Sequence, residues 1–222
     1  MMDVASALHP WNRPQVQRLA EGAERLSHAL LLTGPKGVGK MVCADHVARW
    51  LLCLHPTASA EACGECQSCR LRQTGSHPDL VLIAPAEAGK AILVDQIRSL
   101  ADFLYLKPHT AARKLAIIAP AEDMNINAAN SLLKMLEEPP TASYLILVAT
   151  HWIRLPATIR SRCTRVPLHP PRREEGLAWL HSQAPALGEV DLLLTLANGA
   201  PLEALNLAQS DFLAQRQQLM GD

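Results

Sequence analysis

Residues 34–40, Gly34-Pro35-Lys36-Gly37-Val38-Gly39-Lys40, fill seven of the eight positions of a phosphate-cradling loop, and they lie between an apolar run and a helical pattern. In such a loop, backbone N–H groups and a helix N-terminus hold phosphate oxygens while the lysine reaches the outer ones. The candidate contacts are Gly34, Gly37, Gly39 and Lys40. The eighth position calls for a Ser or Thr hydroxyl on magnesium, but Met41 offers a thioether, a poor ligand for a hard cation. A second support for the metal, an acidic pair at the end of a later strand, is also missing. There the run Leu115 to Ile118 leads into Ala119-Pro120, and Glu122 and Asp123 follow three residues too late. The residues leave open whether the loop holds ATP or ADP or keeps the shape of an inherited turn. Hydrolysis by this chain alone is not expected, because phosphoryl transfer depends on the positioned metal.

A second chemical cluster is Cys53 followed by Cys63-Gly64-Glu65-Cys66-Gln67-Ser68-Cys69. Three cysteines at two-residue gaps, with no secretory signal ahead of them, point to a metal rather than to disulfides. Four thiolates around zinc make a closed tetrahedral site with no position for water, which is a structural centre. The two net negative charges of such a centre would be offset by Arg49, Arg70 and Arg72. Cys43 and Cys163 have no paired histidine and read as packing residues.

The elements that must position these groups alternate. Ala29 to Thr33, Leu80 to Ile83, Leu115 to Ile118 and Tyr144 to Thr150 are apolar runs of strand length. Helical patterns separate them: Val42, His46, Val47, Trp50 and Leu51; Val94, Ile97, Leu100, Ala101 and Leu104; and Ala129, Leu132, Leu133 and Leu136, stopped by Pro139-Pro140. Continuous apolar strands between helices predict a parallel α/β sandwich with a sheet buried on both faces. Beyond Val166 a Pro/Arg-rich linker gives way to purely helical patterns at about 173–183, 190–197 and from Pro201 onward. The expected organisation is an α/β domain over 1–168 with a cysteine module at about 53–69, a small helical lid over 169–209, and the start of another helix at 210–222.

With 222 residues and 49% hydrophobic content, the chain can bury a sizeable core, which excludes a disordered protein. Twenty-one basic residues balance 21 acidic ones and only 4% are aromatic, so no bulk field or stacking platform favours direct nucleic-acid readout. The start carries Asp3 and no basic cluster, and no apolar run approaches the ~18 residues of a membrane span, so a soluble cytoplasmic chain is expected.

Several strings together resemble one family. They are His9-Pro10-Trp11, the degenerate phosphate loop, the four-cysteine insertion, residues 128–140 (AANSLLKMLEEPP) and Ser161-Arg162-Cys163. They are similar to the bacterial clamp-loader AAA+ proteins, and most of all to the delta-prime branch of DNA polymerase III, over Trp11 to about Leu205. The tau and gamma motors of that family share the last two strings but keep the phosphate loop and acidic pair intact. The resemblance implies an AAA+ fold and a complex that uses ATP to load a sliding clamp onto primed DNA in bacterial replication. It also implies tau/gamma and delta subunits as partners, and a non-hydrolysing role in a DNA-directed DNA polymerase complex. By the same resemblance, Arg162 is expected to act as an arginine finger in trans on a neighbour's nucleotide. Thr150 matches the position that senses the terminal phosphate in active relatives, or else is a strand-ending hydroxyl bonded to backbone. Gly199-Ala200-Pro201-Leu202-Glu203 lacks the arginine that motors use to touch nucleotide. A third, collar domain of the family is expected to be missing from a chain ending at Asp222. Two other functions compete: a P-loop ATPase working through Lys40 with Glu122 or Asp123, and a zinc-dependent nucleic-acid-binding module.

Overall fold

The computed structural model describes residues 7–185 and 187–210, so the helix start expected at 210–222 lies outside the described residues save for Ser210. The chain divides into two compact units, one of Met1–Thr33 with Lys40–Pro167 and the other of Gly34–Gly39 with Leu168–Asp222.

In the first unit, α1 (Arg13–Glu21) precedes β1 (Ala29–Thr33), α2 (Lys40–Leu52), α3 (Gln67–Gln73), β2 (Leu80–Ile83), α4 (Val94–Tyr105), β3 (Lys114–Ile118), α5 (Ile126–Glu137), β4 (Ser143–Ala149), α6 (Ala157–Arg160) and β5 (Thr164–Pro167). The strands form one parallel sheet in the order β2-β3-β4-β1-β5. Strands β1 and β3 are buried along their whole length, as continuous apolar runs predict for a sheet covered on both sides. On one face Ala29, Leu31, Ala116, Ile118, Leu145 and Leu147 pack with the apolar stripes of α4 and α5. The alternate residues Leu30, Leu32, Leu115, Ile117 and Ile146 are equally buried and point to the other face. Helix α2 packs against β1, β3 and β4 and shares no residue with the first cluster. Asn125 caps α5, its side chain accepting from the Ala128 N–H at 2.8 Å, and Pro139-Pro140 end the helix.

Three sequence expectations need correction. The sheet has a further strand, β5, which carries a single buried apolar residue, Val166, and a proline, and so gives no run to detect. Strand β2 lies at the other edge, with Leu82 exposed, so it is not covered on both faces. In α2 the buried stripe is Cys43, Ala44, Val47, Ala48, Trp50 and Leu51, while Val42 and His46 are only half-buried.

The second unit contains α7 (Arg173–Gln183), α8 (Val190–Leu196) and α9 (Pro201–Gln209) around Leu180, Val190, Leu193, Leu194, Ala197 and Ala204. Arg173 ties α7 to α8 through Asp191 and Thr195.

Candidate functional site

The phosphate loop belongs to the second unit and is fastened to α9. Gly37 has φ +80°, and a Cβ there would collide with the backbone of Glu203. The Gly37 carbonyl accepts from the Leu202 N–H at 3.2 Å, and Lys36 Nζ lies 2.9 Å from Glu203 Oε1. Burial pushes the Glu203 carboxyl up, but the hydrogen bonds from Lys36 and Asn206 outweigh this and hold it below its usual range. Gly39 is also left-handed, at φ +84°.

Lys40 opens α2 in the first unit and is buried there, which lowers its pKa against the opposing pull of Glu122. Ala119 and Pro120 follow β3 where the acidic pair was expected to be missing. Glu122 Oε1 accepts the N–H groups of Thr150 and His151, each at 2.8 Å. Its Oε2 is buried with no hydrogen-bond partner among the described residues. Thr150 sits immediately beyond β4, so Glu122, Lys40 and Thr150 share one neighbourhood at the ends of the central strands. The sequence singled out Glu122 only as a displaced acid, because side-chain capping of a distant turn leaves no local pattern.

Arg162 follows α6, whose entry is set by Pro156 at φ −52°. Cys163, half-buried, packs against the core, and burial pushes that thiol up to about 12. The side chain is 36% exposed, with Nη1 donating to the Thr158 carbonyl at 3.0 Å and Nη2 2.8 Å from Glu137 Oε1. Arg160 and Arg165 both lie over the Trp152 ring, at 5.3 and 4.1 Å, and Arg165 also donates to Thr33 Oγ1 at 3.3 Å. These cation–π contacts separate the two from Arg162, which is directed to a carboxylate at the surface. Between Glu138 and Glu174 the chain has six arginines and no carboxylate. The carboxylate paired with Arg162 therefore comes from α5.

Cys53, Cys63, Cys66 and Cys69 come together, their sulfurs all within 4.8 Å of one another. The Cys53 sulfur is 3.5 Å from that of Cys63, 4.0 Å from Cys66 and 3.7 Å from Cys69. A tetrahedron of thiolates at ~2.3 Å from a metal has edges of about 3.8 Å, so this donor set fits a zinc-sized ion. Cys66 caps α3 and accepts the Cys69 N–H at 3.4 Å, while the Cys63 and Cys66 N–H groups point at the sulfurs of Cys53 and Cys63. At Cys66, burial raises the thiol pKa, but backbone N–H groups of Leu54 and Cys69 overcome it and bring it to about 6, whereas at Cys53 and Cys69 burial prevails and raises the thiols. Arg49 and Arg72, expected to offset the thiolate charge, both pair with the buried Asp45, Arg49 Nε at 2.7 Å.

A chain of buried polar groups braces this module. The Asp79 N–H donates to His77 Nδ1 at 3.0 Å, His77 Nε2 lies 2.7 Å from Ser68 Oγ, and Ser68 Oγ donates to the Leu52 carbonyl at 2.6 Å. With Nδ1 accepting, Nε2 carries the proton, and burial keeps the imidazole neutral. The Asp79 carboxylate accepts three N–H groups, from His109, Thr110 and Ala111. None of these residues stood out in the sequence, since each is a lone polar residue among others.

The family model described as "DNA polymerase III, delta subunit" matches residues 12–172. DNA polymerase III subunit delta' of Pseudomonas aeruginosa is 40% identical over 96% of this chain and 65% of its own length. The subunit delta' of Escherichia coli (strain K12) is 35% identical over 95% of this chain and 64% of its own. That of Bacillus subtilis (strain 168) is 36% identical over 91% and 61%. The chain thus spans just under two thirds of the length of these relatives. Among solved structures, a DNA polymerase III gamma subunit-related protein from Thermotoga maritima superposes with a TM-score of 0.60 at 26% identity, covering 87% of this chain and 58% of that one. The RuvB Holliday junction branch migration motor of the same organism gives 0.51 at 15% identity over 88% and 57%, a likeness of fold alone. Among the described residues no helix is long and apolar enough to cross a membrane. By the family match and these relatives, the chain belongs to the delta-prime family of DNA polymerase III.

Proposed function

We propose that this chain is a non-hydrolysing subunit of a bacterial clamp loader, and that Arg162 completes the nucleotide site of a neighbouring tau/gamma motor in trans. The observation that carries this reading is the setting of Arg162. Its main chain is held by α6 and by the half-buried Cys163, which packs against the core, while its planar, always-charged head reaches the surface. Such a group stabilises charge that develops on a transferring phosphoryl group. Loading of the sliding clamp onto primed DNA, with delta as a further partner, then belongs to the assembled complex. Met41, Ala119 and Pro120 support silence in cis, since neither magnesium support is present in the sequence. The four cysteines are read as a structural zinc site, whose ion would fix the 53–69 segment and supply no chemistry. The test is Arg162→Ala in a complex rebuilt from full-length subunits. Arginine fingers contribute ~10³ to 10⁵ in rate at their own site. Clamp- and DNA-stimulated ATP hydrolysis and clamp loading are expected to fall, the total by less than that factor because other sites remain, with the melting temperature of the free chain nearly unchanged. Normal loading by the variant would refute the reading.

A second reading draws on Glu122, whose buried Oε2 faces the same neighbourhood as Lys40. It makes the chain a P-loop ATPase with a displaced acid. Turnover by the free chain that disappears in Lys40→Ala would establish it; the first reading expects none, in Met41→Thr as well.

A further inference from the structure

The ion pair between Arg162 and Glu137 has a consequence beyond placing the finger. Both terminal nitrogens of the guanidinium are engaged within the chain, Nη1 by the Thr158 carbonyl at 3.0 Å and Nη2 by Glu137 Oε1 at 2.8 Å. Glu137 is the last residue of α5, and α5 packs against α6, so the contact joins two elements that are already fixed to each other. A carboxylate oxygen on a guanidinium tip occupies the kind of donor that a phosphate oxygen takes. Glu137 therefore takes one of the fork donors that a nucleotide phosphate could use if Arg162 is a finger.

We propose that Glu137 is a resting latch, a positioning residue that holds the Arg162 fork in the free chain and gives up Nη2 when a neighbour's nucleotide presents its terminal phosphate. This rests on the finger reading above. The latch suits exchange because it is weak: Glu137 is 51% exposed and Arg162 36%, so water screens the pair. It restricts a long side chain that would otherwise sample many rotamers, and it opposes any anion too weakly charged or too badly placed to displace a carboxylate. Thr158 keeps its partner, because its main-chain carbonyl is held in place by α6, and it keeps the guanidinium plane aligned while Nη2 changes partner. Glu137 then returns to solvent as a free carboxylate.

The test uses Glu137→Gln, which removes the charge and retains the shape, with Glu138→Gln as the control on the next residue. In the rebuilt full-length complex, the ATP concentration giving half-maximal clamp- and DNA-stimulated hydrolysis is expected to fall about two- to five-fold, the range an exposed pair can supply, with the maximal rate unchanged. In the free chain, NMR should show faster rotation of the Arg162 Nη groups about their bonds to Cζ in Glu137→Gln but not in Glu138→Gln. A Glu137→Gln protein that matches the unmodified one in both measurements overturns the latch. So does a lower maximal rate at unchanged half-saturation, the mark of a scaffold residue. The finger reading fails separately, if Arg162→Ala leaves hydrolysis intact while the free-chain NMR still reports the Glu137 contact.

Discussion

Replacing Gly37 by alanine asks whether the phosphate loop serves as a seat for α9. At φ +80° an alanine carries a left-handed penalty of about 1 to 2 kcal/mol. Its Cβ would also drive into the Glu203 backbone, which is the first turn of α9 and cannot rotate away as a side chain end could. Pushing that turn back breaks the bond from Leu202 N–H to the Gly37 carbonyl, a further loss of about 0.5 to 1.5 kcal/mol. The sum is roughly 2 to 3 kcal/mol, felt within the second unit. Lys36→Ala should cost far less, since Lys36 is exposed and its pair with Glu203 is screened. Hydrogen exchange followed by mass spectrometry reads the effect locally. Peptides from α8 and α9 should exchange about 30- to 150-fold faster in Gly37→Ala, while those from β1, β3 and β4 stay protected. Gly199→Ala is the control, because Gly199 lies in the same unit at φ +79° with only the Pro170 side chain at an ordinary 3.5 Å from a new Cβ, and so isolates the backbone penalty. Exchange in Gly37→Ala no faster than in Gly199→Ala would mean that α9 does not rest on the loop.

Protein purified without chelator should carry about one zinc per chain, and stripping it should expose 53–76 to proteolysis while the sheet remains folded; less than half an equivalent by metal analysis, or a Cys53–Cys63 disulfide by mass spectrometry, would count against the site. Burial raises the Asp79 carboxyl but three N–H donors and Lys114 outweigh it, so its folded pKa lies below the unfolded value. Its contribution is thus complete above the unfolded pKa of about 4 and lost as pH falls through the lower folded one. Asp79→Asn, which leaves Lys114 buried beside a neutral group, should cost about 3 kcal/mol at pH 7 and flatten the acid side of the stability profile measured by urea unfolding.

What the chain discloses in advance depends on whether a feature is periodic or pairwise. The Leu30-Leu31-Leu32 and Leu115 to Ile118 runs and the stripe Ile97, Leu100, Leu104 announce buried strands and an amphipathic helix, because burial repeats along the element. Four cysteines at fixed gaps are legible for the same reason. Strand β5 is not, since Thr164 and Arg165 reveal a strand only through pairing with Leu30 and Leu31, far away in sequence. The same holds at the site. Arg162 could be picked out by a family string, but its contact with Glu137, the capping of Thr150 by Glu122 and the brace through His77 are set by tertiary proximity. Arg49 and Arg72 line one cavity with Cys69, but the pairing of Arg72 with the buried Asp45 is likewise a tertiary contact that no local pattern shows.

The strand order has a consequence for how the chain is made. Strand β1 emerges early in synthesis yet occupies an inner position, and both of its neighbours, β4 and β5, come more than a hundred residues later. At ~5 to 20 residues per second it waits for several seconds or longer with its backbone N–H and C=O groups unpaired and five apolar or β-branched side chains uncovered. Only β2 and β3 can pair in the meantime. Closing so long a loop is slow because its entropy is lost before any ladder bond forms. The sheet therefore cannot be assembled from the N-terminus onward, and the Ala29–Thr33 segment is the stretch that a nascent chain most needs to have shielded until Ser143–Ala149 arrives.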